Sequence, residues 1–379
     1  MGELAETYGN YFAPEAIVWV NGKKLSKSNL SFSDLKVDMI TDGADTFSFT
    51  LSDAFDPESF KPKQASIFDF GDIVEIHIGY ADNRKSKESL PILFKGVVTS
   101  VAWNFSEDNY LEITVSGKDF SFLMMKHKYR RSGGGEASWN EKSDSDVVAE
   151  VFDATYKKVI KNKKIDAISS PVRKQIRHKE ENDFAFFTTL AKRSNYEFFV
   201  QNETFYFRKP PEAGKGEVVL RYGREILSFT PEFNVDKQVS KVRVVGLELG
   251  PKKEKIVAEV SQSGSLKPDA GDSALKELLK NLNNIEYEIR APVESVEAAK
   301  KLAESKFKEL SSGLLRAQLK SIGIPELKAG IYIKLEGLGS RFSKTYYVLK
   351  AVHTFGSGGY ETMLELANDS FRMEKGGGK

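Results

Sequence analysis

The sequence predicts an α+β protein in which two related β-barrel domains flank a small inserted α/β domain. Strand-like alternation of apolar and polar residues fills roughly the first 125 residues and returns after residue 215. Helix-forming patterns are concentrated between these two stretches and within the second one. These observations divide the chain into a first barrel (1–125), an insert (126–214), a second barrel with helices (215–370) and a flexible tail (371–379).

Length and composition allow two or three packed domains. The chain has 379 residues, of which 40% are hydrophobic, and this is more than one simple core requires. Lys and Arg number 56 against 54 Asp and Glu, so the net charge of +2 gives no global attraction to nucleic acid or anionic membrane. Cysteine is absent, which excludes disulfides, thiolate nucleophiles and cysteine-based zinc sites.

Targeting signals are not evident in the sequence. The first ten residues lack a basic stretch followed by an apolar one, and Glu6 stands where N-myristoylation needs Ser or Thr. No run of about 18 apolar residues suggests a membrane-spanning helix. We therefore expect a protein made in the cytoplasm without membrane insertion, which a larger particle could still carry out of the cell.

The first domain contains a hairpin and several half-buried strands. The segment 17–20 ends at Asn21 and Gly22, a pair typical of tight hairpin turns. Apolar residues alternate with polar ones along three further segments, 47–51, 74–80 and 111–115. Period-two alternation indicates sheets with one buried face, as in a barrel or sandwich.

The insert begins after a basic stretch and the glycine-rich segment 132–135. Asp144 or Ser145 is predicted to cap one helix, and Asn182 or Asp183 a second. A hairpin is predicted over 196–208, with its turn at 201–203, before two prolines and a glycine-rich stretch. About 75 residues of this kind make a plausible small α/β domain.

The second barrel returns to strands and carries helices between them. Ser273 is predicted to cap a short helix, and a longer helix is expected near 295–310, with Val296, Ala299 and Ala303 on one side. Strands are predicted at 241–244, 331–335, 348–355 and 362–366, and the glycine-rich end is expected to be disordered.

Two segments of the chain resemble each other. At a constant offset of 250, residues 97–119 match 347–369, and the matched pairs are Val98 with Val348, Phe105 with Phe355, Tyr110 with Tyr360, and Asp119 with Asp369. Each copy is preceded by an alternating strand that follows a glycine, Gly71 or Gly330. Two chance-similar hairpins would explain this, and so would two copies of one barrel. In the second case three chains would present six similar units, which suits a trimer beneath a six-fold tube.

Ordered motifs resemble those of a known family. They are Gly71-Asp72-Ile73-Val74-Glu75-Ile76, Phe94-Lys95-Gly96-Val97-Val98, Gly117-Lys118-Asp119, Ser143-Asp144-Ser145-Asp146-Val147-Val148, Asp183-Phe184-Ala185-Phe186-Phe187, Leu190-Ala191-Lys192-Arg193, Leu335-Glu336-Gly337, Tyr347-Val348, His353 and Tyr360-Glu361-Thr362. The sequence resembles the phage late control gene D family of contractile-tail baseplate hubs and is similar to the N-terminal hub portion of VgrG spikes.

The resemblance implies a structural, non-enzymatic function. It implies a homotrimeric hub that joins a hexameric tail tube to a trimeric spike, with two tube-like barrels in each chain and other baseplate components as partners. Because no short repeated strands of a spike follow the hub region, we expect the spike to be a separate protein. We also expect a subunit interface above about 2,000 Å² in total, as in obligate oligomers.

Residues for chemistry are scarce. The four histidines, His77, His127, His178 and His353, are scattered, and no HExxH, GxSxG, Walker A or dinucleotide motif is present. The glycine-rich segment 132–135 lacks the lysine of a phosphate-binding loop. We therefore predict no catalytic residues, no metal site and no cofactor.

Two other function classes stay open from the sequence. A tail-tip cell-wall hydrolase would need two acids across a cleft, whereas the pair Glu107 and Asp108 falls in a predicted turn. A nucleic-acid-binding β-barrel could use the basic stretches 126–131, 157–164 and 173–179, but these contain few aromatic residues for base stacking. We predict no specific nucleic-acid binding, and solvated faces or acidic protein partners for these stretches.

Overall fold

The structure is a computed structural model of the full chain. It describes residues 4–8, 11–28, 31–52, 55–56, 61–62, 68–80, 90–105, 111–130, 135–168, 172–214, 218–233, 239, 241–247, 255–261, 286–291, 293, 295–311 and 315–368. The predicted helix capped by Ser273, the turn with Glu107 and Asp108, and the tail 371–379 lie outside these residues.

The chain begins with a strand-rich part. Its elements are α1 (Leu4–Thr7), β1 (Pro14–Val20), β2 (Lys23–Lys24), β3 (Ser31–Ile40), β4 (Thr46–Ser52), β5 (Phe55–Asp56), β6 (Lys61–Pro62), β7 (Ile73–Tyr80), β8 (Ile92–Phe105), β9 (Leu111–Lys118) and α2 (Ser121–Lys126). The predicted hairpin at Asn21 and Gly22 is confirmed, and both residues have the positive φ that this turn requires.

The α/β insert follows. Its elements are β10 (Ala137–Lys142), α3 (Asp144–Thr155), β11 (Asn162–Ile165), β12 (Arg173–His178), α4 (Asp183–Arg193), β13 (Glu197–Gln201) and β14 (Thr204–Arg208). The predicted cap of α4 is Asn182, whereas α3 is capped by Ser143 and not by Asp144 or Ser145. Ser143 is favoured because its side chain and that of Asp146 form a reciprocal capping box.

The last part contains most of the remaining strands. Its elements are β15 (Val218–Arg221), β16 (Ile226–Phe233), β17 (Lys241–Leu247), β18 (Lys255–Ser261), β19 (Glu286–Arg290), α5 (Val296–Ser311), β20 (Leu315–Ile322), β21 (Tyr332–Glu336), α6 (Gly339–Phe342), β22 (Thr345–Gly356) and β23 (Gly359–Asn368). The predicted long helix is confirmed as α5, in which Ala299 and Ala303 are buried, but Val296 is 61% exposed in the first turn.

Eight antiparallel strands form one continuous main sheet, in the order β16-β20-β23-β22-β3-β4-β9-β8. Beyond β8 the sheet continues through β7, β1 and β2, while β21 pairs with β22 and carries β15. The α+β class with barrel-like strand layers is confirmed. The two strand-rich parts share this one sheet and one hydrophobic core, since that core draws residues from both of them.

The main sheet and the strands beside it contain two units of the same design. Strands β3, β4, β9, β8 and β7 form the first unit, and β16, β20, β23, β22 and β21 form the second in the corresponding order. Both long hairpins carry a bulge just after the matched valines, Val98 and Val348. Gly71 donates its N–H to the carbonyl of Val98 (3.0 Å), and Gly330 does the same to Val348 (2.9 Å).

The predicted match of the hairpins holds for one strand and shifts by one residue in the next. Along β8 and β22 the offset is 250, because Val98 pairs with Gly117 where Val348 pairs with Leu366. Beyond the turn the offset is therefore 249, and Leu111, not Tyr110, takes the place of Tyr360. The loops differ in length by one residue, which a constant offset cannot represent; Tyr110 and Asp369 lie outside the described residues.

The first unit folds back over itself at the bulge of β8. There the strand leaves β9 and pairs instead with β7, so that β7 and β1 cover the apolar face of the main sheet. Gly117 permits the bend, because a Cβ at this position would lie 2.0 Å from the carbonyl oxygen of Val97. We call the covered side of the main sheet its core face and the opposite side its free face.

Two further cores lie outside the main sheet. The insert packs α3 and α4 around aromatic residues such as Trp139, Phe152 and Phe187. A smaller lobe consists of the sheet β18-β17-β19 covered on one side by α5, with Ala299 and Ala303 at its centre. This lobe interrupts the second unit between β16 and β20, whose counterparts β3 and β4 are joined by a short turn.

The two ends of the main sheet differ. At one end Lys118 leads into the insert, and the strand ends Phe233 and Leu315 flank the lobe. We call this the insert end; the insert and lobe touch there, since the Ser305 hydroxyl donates to the carbonyl of Lys192 (2.6 Å). At the opposite, hairpin end, β8 turns into β9 and β22 turns into β23.

Candidate assembly surface

The joint between the two units is a strand pairing inside the chain. The far half of β22 pairs antiparallel with β3, and the register sets Val352 opposite Asp38, His353 opposite Val37, and Phe355 opposite Leu35. On the free face, Lys350 and Asp38 form an ion pair across the joint (3.0 Å). On the core face, His353 and Val37 are both 1% exposed.

Among the strands that the structure describes, none pairs with the matching half of β8 in this way. Residues 100–105 pair with β9 on one side only, among the residues that the structure describes. Trp103 is 47% exposed and Phe105 is 71% exposed, although both lie on the core face with Ile113 and Leu111 opposite. An open strand edge with exposed aromatic residues is a preferred site for adding another strand.

Strand β16 forms the other open edge of the main sheet. Within the described residues it pairs with β20 alone, whereas its counterpart β3 has a strand on each side. Phe229 lies on the core face, half-buried against Phe342 and Tyr346 with ring centroids 5.9 Å away in both cases. Thr230 and Glu232 are exposed on the free face. The two open edges are thus the counterparts of the strands that join inside the chain.

The free face is polar and carries charges of both signs, some of them in ion pairs. Lys350 pairs with Asp38, and Lys320 pairs with Glu361 (2.9 Å). Hydroxyl groups line the first unit, where Thr50 and Thr114 lie 3.4 Å apart across neighbouring strands. Met363, 51% exposed, is a large apolar side chain on this face. Such a face tolerates water and carries no strong field of one sign.

His353 is a packed histidine in the joint. Its Nε2 lies 2.7 Å from the carbonyl oxygen of Leu327, which can only accept, so Nε2 carries the proton and Nδ1 accepts from the Tyr360 hydroxyl (2.8 Å). Burial lowers the pKa of His353 to about 4, partly offset by the bond to Leu327. The side chain is therefore neutral at physiological pH.

Asp183 joins separate segments of the insert: the entry segment at 127–129, the end of α3 and the end of β12. It accepts hydrogen bonds from His178 Nε2 (2.7 Å), His127 Nδ1 (2.8 Å), the backbone N–H of Tyr129 (2.7 Å) and the Tyr156 hydroxyl. Burial alone would raise the pKa of Asp183, but these donors hold it below its usual value. We call these groups the Asp183 clamp.

His77, the remaining histidine, is hydrogen-bonded within the chain through both ring nitrogens. His77 is held between the Leu90 carbonyl (2.9 Å) and Glu75 (2.6 Å). No group of three or more acidic or histidine side chains is placed to hold a metal within the described part of the chain. No described helix is long and apolar enough to cross a bilayer.

Each of the three basic stretches has a Lys or Arg side chain that forms an ion pair within the chain. The pairs are Lys128 with Glu180 (3.2 Å), Lys161 with Glu203 (2.9 Å) and Arg173 with Asp144 (3.4 Å). Sequence reasoning found these stretches but missed the assembly surface. The alternation of Val101, Trp103 and Phe105 with small or polar residues does predict one buried face. It does not show whether a neighbouring strand covers that face, and this decides whether the aromatic side chains are exposed.

Comparison with solved structures places the fold in one class of protein. The 43 kDa tail protein of prophage MuSo2 from Shewanella oneidensis matches with a TM-score of 0.70 and 13% identity, over 95% of this chain and 99% of that one. A tail protein from Neisseria meningitidis MC58 matches equally well, at 12% identity over 95% and 98% of the two chains. An Escherichia coli component of the type VI secretion system, itself similar to the T4 tail proteins gp27 and gp5, matches with a TM-score of 0.56 and 11% identity over 92% and 76%.

The fold is thus that of phage tail proteins, and the predicted resemblance is confirmed at this level. The chain belongs to the family described as the Alg8 N-terminal domain, whose sequence profile matches residues 13–356. No curated protein matches it.

Proposed function

We propose that the chain is the structural hub of a contractile phage tail or tail-like injection system. It acts as a homotrimeric adaptor between a hexameric tail tube and a separate trimeric spike, beside other baseplate components. The observation that carries this proposal is the repeated unit: three chains supply six similar units around one axis. A three-fold body can then present a nearly six-fold surface.

A closed ring also accounts for the open edges. Three copies of the eight-stranded main sheet would give 24 strands and leave no free edge. At a strand spacing of about 4.8 Å and a tilt of about 40°, such a ring has a backbone diameter of roughly 48 Å, wide enough for a channel. Because β7 and β1 cover the core face, that face turns outward and the polar free face lines the interior.

The two ends of the sheet suit different partners. The hairpin end repeats the same feature in both units, so it offers the tube six similar contacts in the trimer. The insert end carries one insert and one lobe in each chain, and therefore offers the spike a three-fold surface. We retain the division into a first barrel unit (1–125), the insert (126–214) and a second barrel unit (215–370) as part of this proposal.

The adaptor works by assembly and not by catalysis. On the free face, Lys320 and Glu361 are held in an ion pair (2.9 Å), as are Lys350 and Asp38 (3.0 Å). The protein is made in the cytoplasm and is built into a virion or a tail-like particle. A peptidoglycan-clearing assay is expected to show no activity; clearing that a single Asp or Glu substitution abolishes would favour a hydrolase instead.

Mass measurement in solution tests the trimer. Light scattering behind size exclusion should give three times the chain mass of 42.4 kDa, and averaged electron micrographs should show a ring of six similar units. A stable dimer or tetramer would contradict the proposal. A monomer would contradict autonomous trimerisation, and the ring would then be sought in purified particles.

A further inference from the structure

We infer that the open half of β8 pairs with β16 of a second copy, in the register that β22 and β3 adopt inside one chain. This inference rests on the proposed trimer and names the residues that would close it. The partner is therefore another copy of this chain. Its edge is recognised by backbone hydrogen bonds and by aromatic side chains that no described residue of the same chain covers.

The register follows from the pairings already described. Positions in β22 correspond to positions in β8 at an offset of 250, because the bulges and glycine contacts coincide. Thr46 pairs with Lys118, and Arg316 pairs with Ala367. Because Lys118 and Ala367 are equivalent at the offset of 249, Thr46 and Arg316 are equivalent too. Asp38 pairs with Thr46 and Glu232 pairs with Arg316, so β3 corresponds to β16 at an offset of 194.

Transferring the internal joint gives the external one. The expected pairs between copies, each written with the β8 residue first, are Val101 with Phe233, Ala102 with Glu232, Trp103 with Pro231, Asn104 with Thr230, and Phe105 with Phe229.

The faces of the two strands agree in this register. Trp103 and Phe105 lie on the core face of β8, because their partners Ile113 and Leu111 are buried there. Pro231 and Phe229 lie on the core face of β16, because they pair with the buried Ala317 and Leu319. A slip of one residue would turn each aromatic side chain against the polar face of its neighbour, so the faces select the register.

Burial of the two aromatic side chains drives the contact. In the second unit β3 covers the equivalent positions, so that His353 is only 1% exposed and Phe355 is half-buried. Trp103 in the first unit is more apolar than its counterpart His353, and Phe105 matches Phe355. Large aromatic anchors supply much of the affinity of protein interfaces.

The residues of β16 favour pairing with one specific strand over indiscriminate strand addition. Pro231 has no N–H to donate, and a proline on an edge strand hinders indiscriminate strand addition. The partner therefore loses one backbone bond opposite Pro231 and is held there by contact between the Trp103 and Pro231 rings. On the free face the exposed Glu232 would lie beside Ala102, which brings no like charge to it.

Disulfide trapping tests the register, and the chain contains no native cysteine to interfere. In the internal joint, Ile40 donates its N–H to Asp45 (2.9 Å), away from β22, and Asp38, two residues earlier, faces the same way. The equivalent pair, Ala102 and Glu232, is therefore a non-hydrogen-bonded pair with Cα atoms about 4.5 Å apart, within disulfide range. The double variant Ala102→Cys/Glu232→Cys should oxidise to a covalent trimer on a non-reducing gel.

The matched control is Ala102→Cys/Thr230→Cys. Thr230 lies on the same face and is also exposed, but two residues further along the strand its Cα would be about 8 Å from that of residue 102, beyond disulfide range. A covalent trimer from the first variant and none from the control supports the inference. Linking of the control alone would overturn the register.

The outcomes separate this inference from the proposed function. If the wild-type protein is trimeric by mass and neither variant links, the strand pairing is wrong while the hub proposal stands. If the wild-type protein is monomeric and neither variant links, the inference is wrong, and the hub proposal is then judged from purified particles. Each variant is first checked for a wild-type circular dichroism spectrum under reducing conditions, so that misfolding is not read as failure to pair.

Discussion

Trp103 and His353 occupy the same place in the two units, five residues beyond the bulged valines Val98 and Val348. Trp103 is 47% exposed, whereas His353 is 1% exposed because β3 covers it. The difference reflects the neighbouring strand and not the unit itself. A residue that is large, apolar and uncovered at a position built for burial indicates a missing neighbour.

Replacing Trp103 should weaken association between chains without unfolding them. We expect Trp103→Ala to raise the dissociation constant at least tenfold, because truncating a central aromatic anchor costs about 2 kcal/mol or more. Sedimentation velocity across a dilution series measures the change. Met363→Ala is the matched control, since Met363 is 51% exposed on the free face away from the edge. Equal effects of both substitutions would contradict a role for the edge.

Acid should destabilise the chain through His353. Its pKa is about 4 in the folded state, below the usual value of about 6.5, so the unfolded state binds the proton first as the pH falls. The stability due to neutral burial is complete above pH 6.5 and is lost progressively toward pH 4, by up to about 3 kcal/mol. Urea unfolding of the wild type and His353→Gln between pH 7 and 4 should show the two free energies converging. Parallel curves would contradict the assignment.

The Asp183 clamp should be essential to the insert. Asp183→Asn leaves a single acceptor oxygen for four donors, and we expect the insert to lose about 3 kcal/mol. Amide hydrogen exchange in α3 and α4 reports this loss locally. Asp153→Asn is the control, because Asp153 is 43% exposed in its ion pair with Lys163 and should change stability by less than about 0.5 kcal/mol. Unchanged exchange in the Asp183 variant would refute the clamp.

Gly323 should not tolerate a side chain. A Cβ at this position would lie 2.1 Å from the Tyr360 ring. The N–H of Gly323 donates to the backbone carbonyl of Tyr360 (2.8 Å), and the Tyr360 hydroxyl is hydrogen-bonded to His353 Nδ1 (2.8 Å), so neither the backbone nor the ring is free to shift. We expect Gly323→Ala to cost about 2–3 kcal/mol in thermal unfolding. Gly135→Ala meets no atom within 4 Å and serves as the control. A melting temperature equal to that of the control would show that the ring can move aside.

The sequence predicted elements where local signals suffice. The hairpin at Asn21, the cap of α4 at Asn182 and the hairpin of β13 and β14 follow from turn chemistry and periodicity. The repeat was visible because β8 and β22 keep the same bulge and the same preceding glycine. Beyond the turn, the match made from the sequence was wrong by one residue. The two turns differ in length by one residue, and a match at a fixed offset cannot allow for that.

Long-range pairings were beyond the reach of the sequence. The joint of β22 with β3 links residues about 300 positions apart in the chain, and nothing local to either strand specifies it. The parallel pairings of β15 with β21 and of β17 with β19 are of the same kind. The candidate surface depends on these pairings, because an edge strand and a central strand can share one pattern of alternation.

Fusion of the two units in one polypeptide changes the concentration dependence of the proposed ring. In a ring of six separate units all six joints would lie between molecules. Here the joint of β22 with β3 forms when the chain folds, at the high effective concentration of a tethered pair. Only the remaining three joints depend on how many chains are present, so the ring should nucleate at lower copy number than an unfused hexamer with the same strand contacts.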